Sequence, residues 1–366
     1  MQVGRVESMV EPMELRERAR EVRTDLREVA FPPEFGQGAR NAVSTCLKIQ
    51  PGEKVTLITD QSCIQIAASL AVELQKLGCS WHSFVLEELA PRPLQGMPQE
   101  ILEDMESSQV SIFAVEVQPN ELRSRMEMTD VVNRRRMRHA HMVNITPEIM
   151  TQGMCADFEV IDRLSQAVLD KVRKATYVRA TTPAGTDIHA QMEPEYRWFK
   201  TSGIISTEKW GNLPGGECFT APGEVNGVFV VDGVVGDFLC KEYGLLGETP
   251  LTIHIEGNRI TKVSSDNKKL EKDFWAYTHT DENSDRVGEF AIGTNIGVQR
   301  VIGNILQDEK FPGVHIAFGD PYGAHTGARW KSSTHIDVVG LRFNIWLGDA
   351  DGEEQIMRDG RFLIES

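Results

Sequence analysis

The sequence predicts two parts: an α/β amino-terminal domain built on a doubly wound, mostly parallel sheet, and a β-rich, metal-binding α+β carboxy-terminal domain. Up to about residue 175, short apolar runs alternate with helical patterns, which is typical of parallel strands joined by helices. Beyond that point, apolar and polar residues alternate with period two and are interrupted by glycine, which indicates antiparallel strands. We therefore assign residues 1–175 to the first domain and residues 176–366 to the second.

In the first domain, helical and extended patterns follow each other along the chain. Gly78 closes the second helical pattern, in the position that favours a glycine C-cap. The predicted helices are 11–30, 61–77, 98–108, 120–140 and 157–175. The predicted strands are 55–60, 81–88, 109–117 and 141–146.

In the second domain, strands with period-two alternation are joined by turns rich in glycine. Residues 183–187 (PAGTD) and 256–258 (EGN) have the composition of tight turns. Strand patterns occupy parts of residues 175–192, 224–236, 251–263 and 333–347. One helix pair interrupts them, predicted over residues 270–280 and 296–310.

Composition and charge exclude several classes of protein. The chain has 54 acidic and 39 basic residues and a net charge of −15, which argues against nucleic acid as a partner. It contains no run of 18 apolar residues and no apolar stretch at the amino terminus, so we expect no membrane partner and a cytoplasmic location. The six cysteines form no C-x-x-C pair, and we expect them to be reduced. No phosphate-binding glycine motif is present, so we expect no nucleotide in the first domain.

A group of metal-capable side chains stands out in the second domain. In the segment THID, His335 and Asp337 are two residues apart, and on a strand such residues point to the same face. His315 lies in another short apolar run that ends in glycine, from which it can reach the same point. Two histidines and a carboxylate fit either a mononuclear Fe(II) triad or half of a two-metal hydrolytic site.

A two-metal site needs further carboxylates, and two glutamates meet this need. Glu217 follows a proline and two glycines, and Glu289 precedes a Gly-Thr-Asn turn. Both lie among apolar residues in segments that we expect to be buried, where a carboxylate is costly unless it is paired or bound to metal. The sequence therefore predicts a metal site in the second domain.

The segments NLPGGECFTAP, GEFAIGTN, HIAFGDPYG and HID resemble, in this order, the signature blocks of the aminopeptidase T family of metallo-aminopeptidases. The resemblance implies a homodimeric enzyme with two divalent metal ions, zinc, cobalt or manganese, in its carboxy-terminal domain. Its first domain would roof the site, and its substrates would be short peptides cleaved by a metal-activated water. The implied metal ligands are Glu217, Glu289, His315, Tyr322, His335 and Asp337, with Glu217, Glu289 and Tyr322 taking part in catalysis.

Several alternatives stay open at this stage. Asp320 or His325 can take the place of Tyr322, and Arg329 and Lys331 either orient a substrate or lie on the surface. Some relatives of the family resemble mononuclear Fe(II) dioxygenases that cleave dihydroxypyridine rings, and there a histidine is expected where this chain has Glu289. A protein that binds metal without catalysis is the third possibility.

Overall fold

The amino-terminal part is an α/β structure around a parallel sheet. The computed structural model describes residues 23–236 and 238–364. The first strands are β1 (Lys54–Thr59), β2 (Ser80–Val85), β3 (Val110–Val115) and β4 (Arg138–Val143), all parallel to their neighbours. The helices are α1 (Phe35–Arg40, continued by a π-helical turn over Asn41–Cys46), α2 (Ile64–Leu77), α3 (Leu86–Leu89), α4 (Gln99–Glu106), α5 (Leu122–Arg135), α6 (Pro147–Thr151) and α7 (Phe158–Val172). Short 3₁₀ turns cover Leu26–Glu28 and Gly153–Cys155.

The parallel α/β region predicted from the sequence is confirmed, with the strand order β2-β1-β3-β4. Every residue of β3 is buried, as expected for a strand covered on both faces. Gly78 ends α2 in the left-handed conformation with a φ of 76°, as its position predicted.

Some boundaries differ from the prediction. The helix predicted over 120–140 ends at Arg135, because Arg136 adopts the left-handed conformation and Arg138 already begins β4. Residues 11–22 of the first predicted helix lie outside the described residues. The rest of that segment contains the 3₁₀ turn in place of an α-helix.

The carboxy-terminal part consists mainly of antiparallel strands, which confirms the β-rich prediction. The strands are β5 (Tyr177–Thr181), β6 (Asp187–Gln191), β7 (Phe199–Thr201), β8 (Gly211–Asn212), β9 (Glu217–Thr220), β10 (Glu224–Val231), β11 (Val234–Val235), β12 (Leu251–Glu256), β13 (Arg259–Ser264), β14 (Val287–Gly293), β15 (Gly313–Gly319), β16 (His335–Val339), β17 (Asn344–Asp349), β18 (Gly352–Arg358) and β19 (Arg361–Phe362). The helices are α8 (Phe238–Tyr243), α9 (Lys268–Tyr277), α10 (Ile305–Asp308) and α11 (Gly323–Thr326).

Apart from β8, these strands form two sheets that share one apolar core. The larger sheet has the order β13-β12-β10-β6-β5-β17-β18-β19, and the smaller has the order β11-β16-β15-β14-β9-β7. Phe229 of the larger sheet and Phe290, Ile316 and Val338 of the smaller sheet belong to the same buried cluster. Because side chains alternate along a strand, the residues between these apolar positions face the other side of the smaller sheet.

The predicted helix over 296–310 is wrong, apart from the single turn of α10. Gly303 has a φ of 80°, which a continuous helix does not allow. The carboxylate of Asp308 accepts hydrogen bonds from the backbone N–H groups of Ile302, Gly303 and Asn304, at 2.8–3.1 Å. The segment is therefore a loop held by a buried side chain.

The two parts of the chain are joined by more than α7. Strand β8 pairs with β4 and extends the parallel sheet to five strands. Ile205, Leu213 and Leu306 pack in the apolar cluster of the amino-terminal part. The domain boundary near residue 175 stays a prediction. Among the described residues, no helix is long and apolar enough to cross a bilayer.

Candidate metal centre

Five of the six predicted ligands lie on one face of the smaller sheet, on four adjacent antiparallel strands. In the register of β9, β14, β15 and β16, Glu217 is opposite Gly293, Glu289 and Asp337 are each opposite Ala317, and His335 is opposite Gly319. Paired residues share a face, and so do residues two apart on a strand. The side chains that point to this face are Glu217, Glu289, His315, His335 and Asp337.

The glycines that precede the two glutamates are required by close packing. Gly216 has a φ of 129°, and a Cβ there would lie 2.6 Å from the Cβ of Asn295. Gly288 forms a β-bulge, where a Cβ would lie 2.6 Å from the carbonyl oxygen of Gly319. Each glycine therefore sets the position of the glutamate that follows it.

The five side chains form two groups that share one carboxylate. Glu217, Glu289 and His315 make up the first group, and Glu289, His335 and Asp337 the second. Within each group, the potential ligand atoms all lie within 4.8 Å of one another. One oxygen of Glu289 is 3.5 Å from Nε2 of His315 and the other is 3.6 Å from Nε2 of His335. Such an arrangement suits a carboxylate that bridges two cations.

A buried nitrogen without a hydrogen-bond partner lies in the first group, where a cation would fit. Nε2 of His315 is inaccessible to solvent and makes no hydrogen bond among the described residues. It lies 3.5 Å from oxygens of both Glu217 and Glu289, beyond ordinary hydrogen-bond length. Buried polar atoms normally have a partner. A cation between the imidazole and the two carboxylates would supply one, so these residues fit a metal ion.

The second histidine is oriented by the backbone. Nδ1 of His335 lies 2.9 Å from the carbonyl oxygen of Asp320, so this nitrogen carries the proton and donates to the carbonyl. Nε2 is thereby left facing Asp337 and Glu289, at 3.5 and 3.6 Å. A carbonyl that fixes the tautomer in this way is typical of histidines that bind metal.

The charges of the group shift the pKa values of its histidines. Burial opposes the charged imidazole, but the carboxylates of Asp337 and Glu289 outweigh it and raise the pKa of His335 to about 10. Burial likewise opposes protonation of His315, and Glu289 and Glu217 outweigh it and raise the pKa. Without metal the group therefore binds protons, which a divalent cation would replace.

Two further charged residues belong to this site and were missed in the sequence. Lys310 is 2% exposed, and its Nζ is 2.7 Å from Oε1 of Glu217. The same ammonium also pairs with Glu309. The hydroxyl of Thr201 donates to the same oxygen of Glu217 at 2.8 Å. The signal for them in the sequence was a pair of charged residues just before the apolar strand that contains His315. These two residues had been assigned to the predicted helix over 296–310.

The sixth predicted ligand, Tyr322, lies at the rim of the group. Its ring centroid is 4.3 Å from that of His335, and the residue is 43% exposed. Its backbone is left-handed, with a φ of 48°. Loss of hydration and the negative charges of Glu289 and Asp337 raise the pKa of Tyr322 well above its usual value, so the phenol keeps its proton.

The alternatives to Tyr322 have other contacts. The carboxylate of Asp320 accepts the backbone N–H of Tyr322 at 2.9 Å and so shapes the turn. The ring of His325 packs on Phe199, with centroids 5.3 Å apart, outside the two ligand groups. Arg329 and Lys331 are exposed.

Comparison with solved structures shows the fold. Wild-type AmpT from Thermus thermophilus is similar with a TM-score of 0.64 and 18% identity, over 92% of this chain and 100% of that one. A structure of 2,5-dihydroxypyridine dioxygenase from Pseudomonas putida is similar with a TM-score of 0.64 and 14% identity, over 90% of this chain and 97% of that one. No curated protein matches the chain.

The sequence itself identifies the family. Residues 155–362, more than half of the 366-residue chain, match the family described as thermophilic metalloprotease (M29). The matched segment contains all six predicted ligands together with Glu309 and Lys310. The chain therefore belongs to the thermophilic metalloprotease (M29) family.

Proposed function

We propose that this protein is a metal-dependent aminopeptidase that removes amino-terminal residues from short peptides. The observation that carries the proposal is the pair of ligand groups that share Glu289, with Nε2 of His315 buried and unpartnered between carboxylates. The metalloprotease family supports peptide hydrolysis as the reaction.

Two divalent ions fit the residues present. Glu217, Glu289 and His315 would hold one ion, and Glu289, His335 and Asp337 the other. Carboxylate and imidazole ligands suit zinc, cobalt and manganese. Such ions supply Lewis-acid activation of a water molecule and of a peptide carbonyl.

The protein residues hold the ligands in place and manage protons. Thr201 and Lys310 fix one oxygen of Glu217, so its other oxygen, Oε2, is the one that lies 3.5 Å from His315. The phenol of Tyr322 would donate a hydrogen bond to the oxygen of the substrate carbonyl as negative charge develops there. Glu217 or Glu289 would carry a proton to the amine that leaves.

The requirement for a free amino terminus tests the proposal. A tripeptide with a free α-amine and its N-acetylated counterpart are assayed in parallel with added Zn²⁺, Co²⁺ or Mn²⁺. We expect hydrolysis of the free peptide alone, because acetylation removes the amine that would bind the metal site. Equal rates for the two peptides would rule out the aminopeptidase.

Ring cleavage by a mononuclear iron enzyme is the second candidate, because the dioxygenase structure is as similar in fold as AmpT. The carboxylate of Glu289 favours the peptidase over the dioxygenase. The family resemblance implies that the dioxygenase relatives have a histidine at the position of Glu289. Oxygen consumption on a dihydroxypyridine, with no hydrolysis of either peptide, would favour the dioxygenase.

We propose that the amino-terminal part roofs the site and binds no nucleotide. In doubly wound sheets, ligands bind at the carboxyl ends of the strands where the strand order reverses, here between β1 and β3. At this point Asp60 is fully buried, pairs with Arg92 at 2.7 Å and accepts the backbone N–H of Glu116 at 2.8 Å. Tight stoichiometric binding of ATP or NAD in a calorimetric titration would contradict this. A cytoplasmic location and a homodimer that restricts access to short peptides complete the proposal.

A further inference from the structure

A basic cavity lies beside the metal-ligand face, between the edge strand β7 and the carboxyl end of α7. Its volume is about 890 Å³. Five cationic residues line it together with the acidic residues Asp162 and Glu193. The cationic residues are Arg173, Lys174, Arg197, Lys200 and Lys209.

Most of these cations have no carboxylate partner. Lys200 pairs with Asp162 at 2.8 Å. Within residues 23–236 and 238–364, none of the other four forms an ion pair. Lys209 donates to the backbone carbonyl of Lys200, and Arg173 to that of Trp198 at 3.4 Å. In a chain with a net charge of −15, five cations against the two carboxylates of Asp162 and Glu193 in one cavity form a local positive field that attracts anions.

A row of aromatic rings connects this basic cavity to the metal-ligand groups. Nζ of Lys209 is 5.5 Å from the ring centroid of Phe199, which is 5.8 Å from that of Phe219. Phe219 is 6.3 Å from Tyr322, and Tyr322 is 4.3 Å from His335. An extended peptide covers about 3.3 Å per residue. The row measures about 22 Å along its bends, so an extended peptide of at most about seven residues spans it. A shorter route runs from Glu217 through the hydroxyl of Thr201 to the carbonyl of Lys200 that Lys209 contacts, and it brings shorter peptides within reach of Lys209.

The contacts of His325 also show that two cations of the basic cavity lie near Tyr322. It follows Tyr322 by three residues in the turn of α11, and its ring packs on Phe199. Burial and the positive charges of Lys209 and Arg197 lower the pKa of His325. Arg197 lies 5.9 Å and Lys209 5.5 Å from the ring centroid of Phe199, so both cations adjoin the ring on which His325 packs.

We propose that the basic cavity binds a carboxylate of the substrate peptide, on the far side of the cleaved bond from the amino terminus. The inference rests on the aminopeptidase function and gives it a substrate preference for short peptides with an anionic end. The carboxylate has two possible sources, the carboxyl terminus of the peptide and an acidic side chain.

Matched peptides test the preference and identify its source. The KM is measured for the tripeptide Leu-Gly-Gly as the free acid and as the carboxyl-terminal amide, and for the amides of Leu-Gly-Glu and Leu-Gly-Gln. Removal of one charge-assisted contact changes affinity by about tenfold. We expect the anionic member of at least one pair to have a KM about tenfold lower, and the pair that responds identifies the source. Calorimetric titration of the N-acetylated peptides gives a readout independent of turnover.

Variants of Lys209 assign the effect to the cavity. Lys209→Met should abolish the difference between the matched peptides, whereas Lys209→Arg should retain it. Lys268→Met, which removes an exposed lysine that pairs with Glu271, serves as the charge control and should behave as the wild type. Equal KM values within both peptide pairs would overturn this inference but not the aminopeptidase function. A preference for the anionic peptide that persists in Lys209→Met would do the same. No hydrolysis of any of these peptides would overturn the aminopeptidase function, and the inference with it.

Discussion

Lys310 and Glu217 form a buried ion pair at the sheet face that carries the five predicted ligands, with Nζ 2.7 Å from Oε1. The lysine is 2% exposed and the glutamate 7%. The pair explains how a buried carboxylate is kept charged and oriented: burial disfavours the charged form, but the charge of Lys310 lowers the pKa of Glu217. A charge removed from such a pair leaves its partner buried without compensation.

Replacement of this lysine should destabilise the metal-free protein strongly. Lys310→Met leaves Glu217 and Glu309 without their cation, and we expect a loss of about 3–5 kcal/mol in the free energy of unfolding. Lys268→Met, at a lysine 75% exposed, should change it by less than about 0.5 kcal/mol. Urea denaturation of both variants without metal measures the difference. Similar unfolding free energies for the two variants would show that the pair does not have this role.

Loss of the shared carboxylate should affect both ligand groups at once. Glu289→Gln keeps the volume and removes the charge, so metal affinity should fall by more than the roughly 10- to 100-fold that follows loss of an outer-shell partner. Glu282→Gln, at an exposed glutamate, is the matched control. Calorimetric titration with Zn²⁺ measures the binding. Two tight sites retained in Glu289→Gln would mean that Glu289 binds neither ion.

The phenol of Tyr322 should matter for turnover more than for folding. Tyr322→Phe keeps the ring beside His335 and Phe219 and removes the hydroxyl, so we expect kcat to fall by about 100-fold or more, as for other donors to a developing oxyanion. The unfolding free energy should stay within about 0.5 kcal/mol of the wild type, as for other exposed sites. Tyr243→Phe, which removes a hydroxyl that donates to Asp273 outside the ligand groups and the basic cavity, provides the control. Unchanged kcat in Tyr322→Phe would assign the role to another residue.

Two buried histidines in β4 should make the protein sensitive to acid. His139 and His141 lie on one face of the strand, with Nε2 of His139 3.1 Å from Nδ1 of His141. Burial lowers the pKa of His139 from 6.5 to about 3 and also lowers the pKa of His141. Between about pH 3 and pH 6.5, His139 binds a proton in the unfolded chain but not in the folded chain. The free energy of unfolding therefore decreases as the pH falls below about 6.5. The loss is about 1.4 kcal/mol per pH unit for each histidine.

The variant His139→Gln isolates this contribution. It removes one titrating group, so the stability difference between pH 7 and pH 5, measured by urea denaturation, should be smaller than in the wild type. His279→Gln, at an exposed histidine, should reproduce the wild-type difference. The same acid sensitivity in all three proteins would mean that His139 is not the group responsible.

The candidate ligands could be found in the sequence because each lies in a short, recognisable setting. His335 and Asp337 share a strand face by their spacing alone, Glu217 follows a proline and two glycines, and Glu289 precedes a Gly-Thr-Asn sequence. Local patterns do not specify which strands pair, or in what register. The contact between Glu289 and His315 depends on the pairing of β14 with β15 and was known only from the structure.

Residues whose role depends on distant packing were missed. Lys310 and Glu309 were assigned to a predicted helix because the spacing of apolar residues over 296–310 is helical. The structure instead forms a loop, in which the carboxylate of Asp308 satisfies three backbone N–H groups. Hydrogen bonds from nearby backbone N–H groups to a side chain replace the backbone hydrogen bonds of a helix. The spacing of apolar residues gives no sign of this replacement.

The number of metal ions per chain tests the central claim most directly. The purified protein is saturated with Zn²⁺, Co²⁺ or Mn²⁺, excess ions are removed, and the bound metal is determined by elemental analysis while peptide hydrolysis is followed on the same samples. The arrangement of two ligand groups around Glu289 predicts two ions per chain at maximal activity. One ion per chain at saturation, without hydrolysis of peptides, would contradict it.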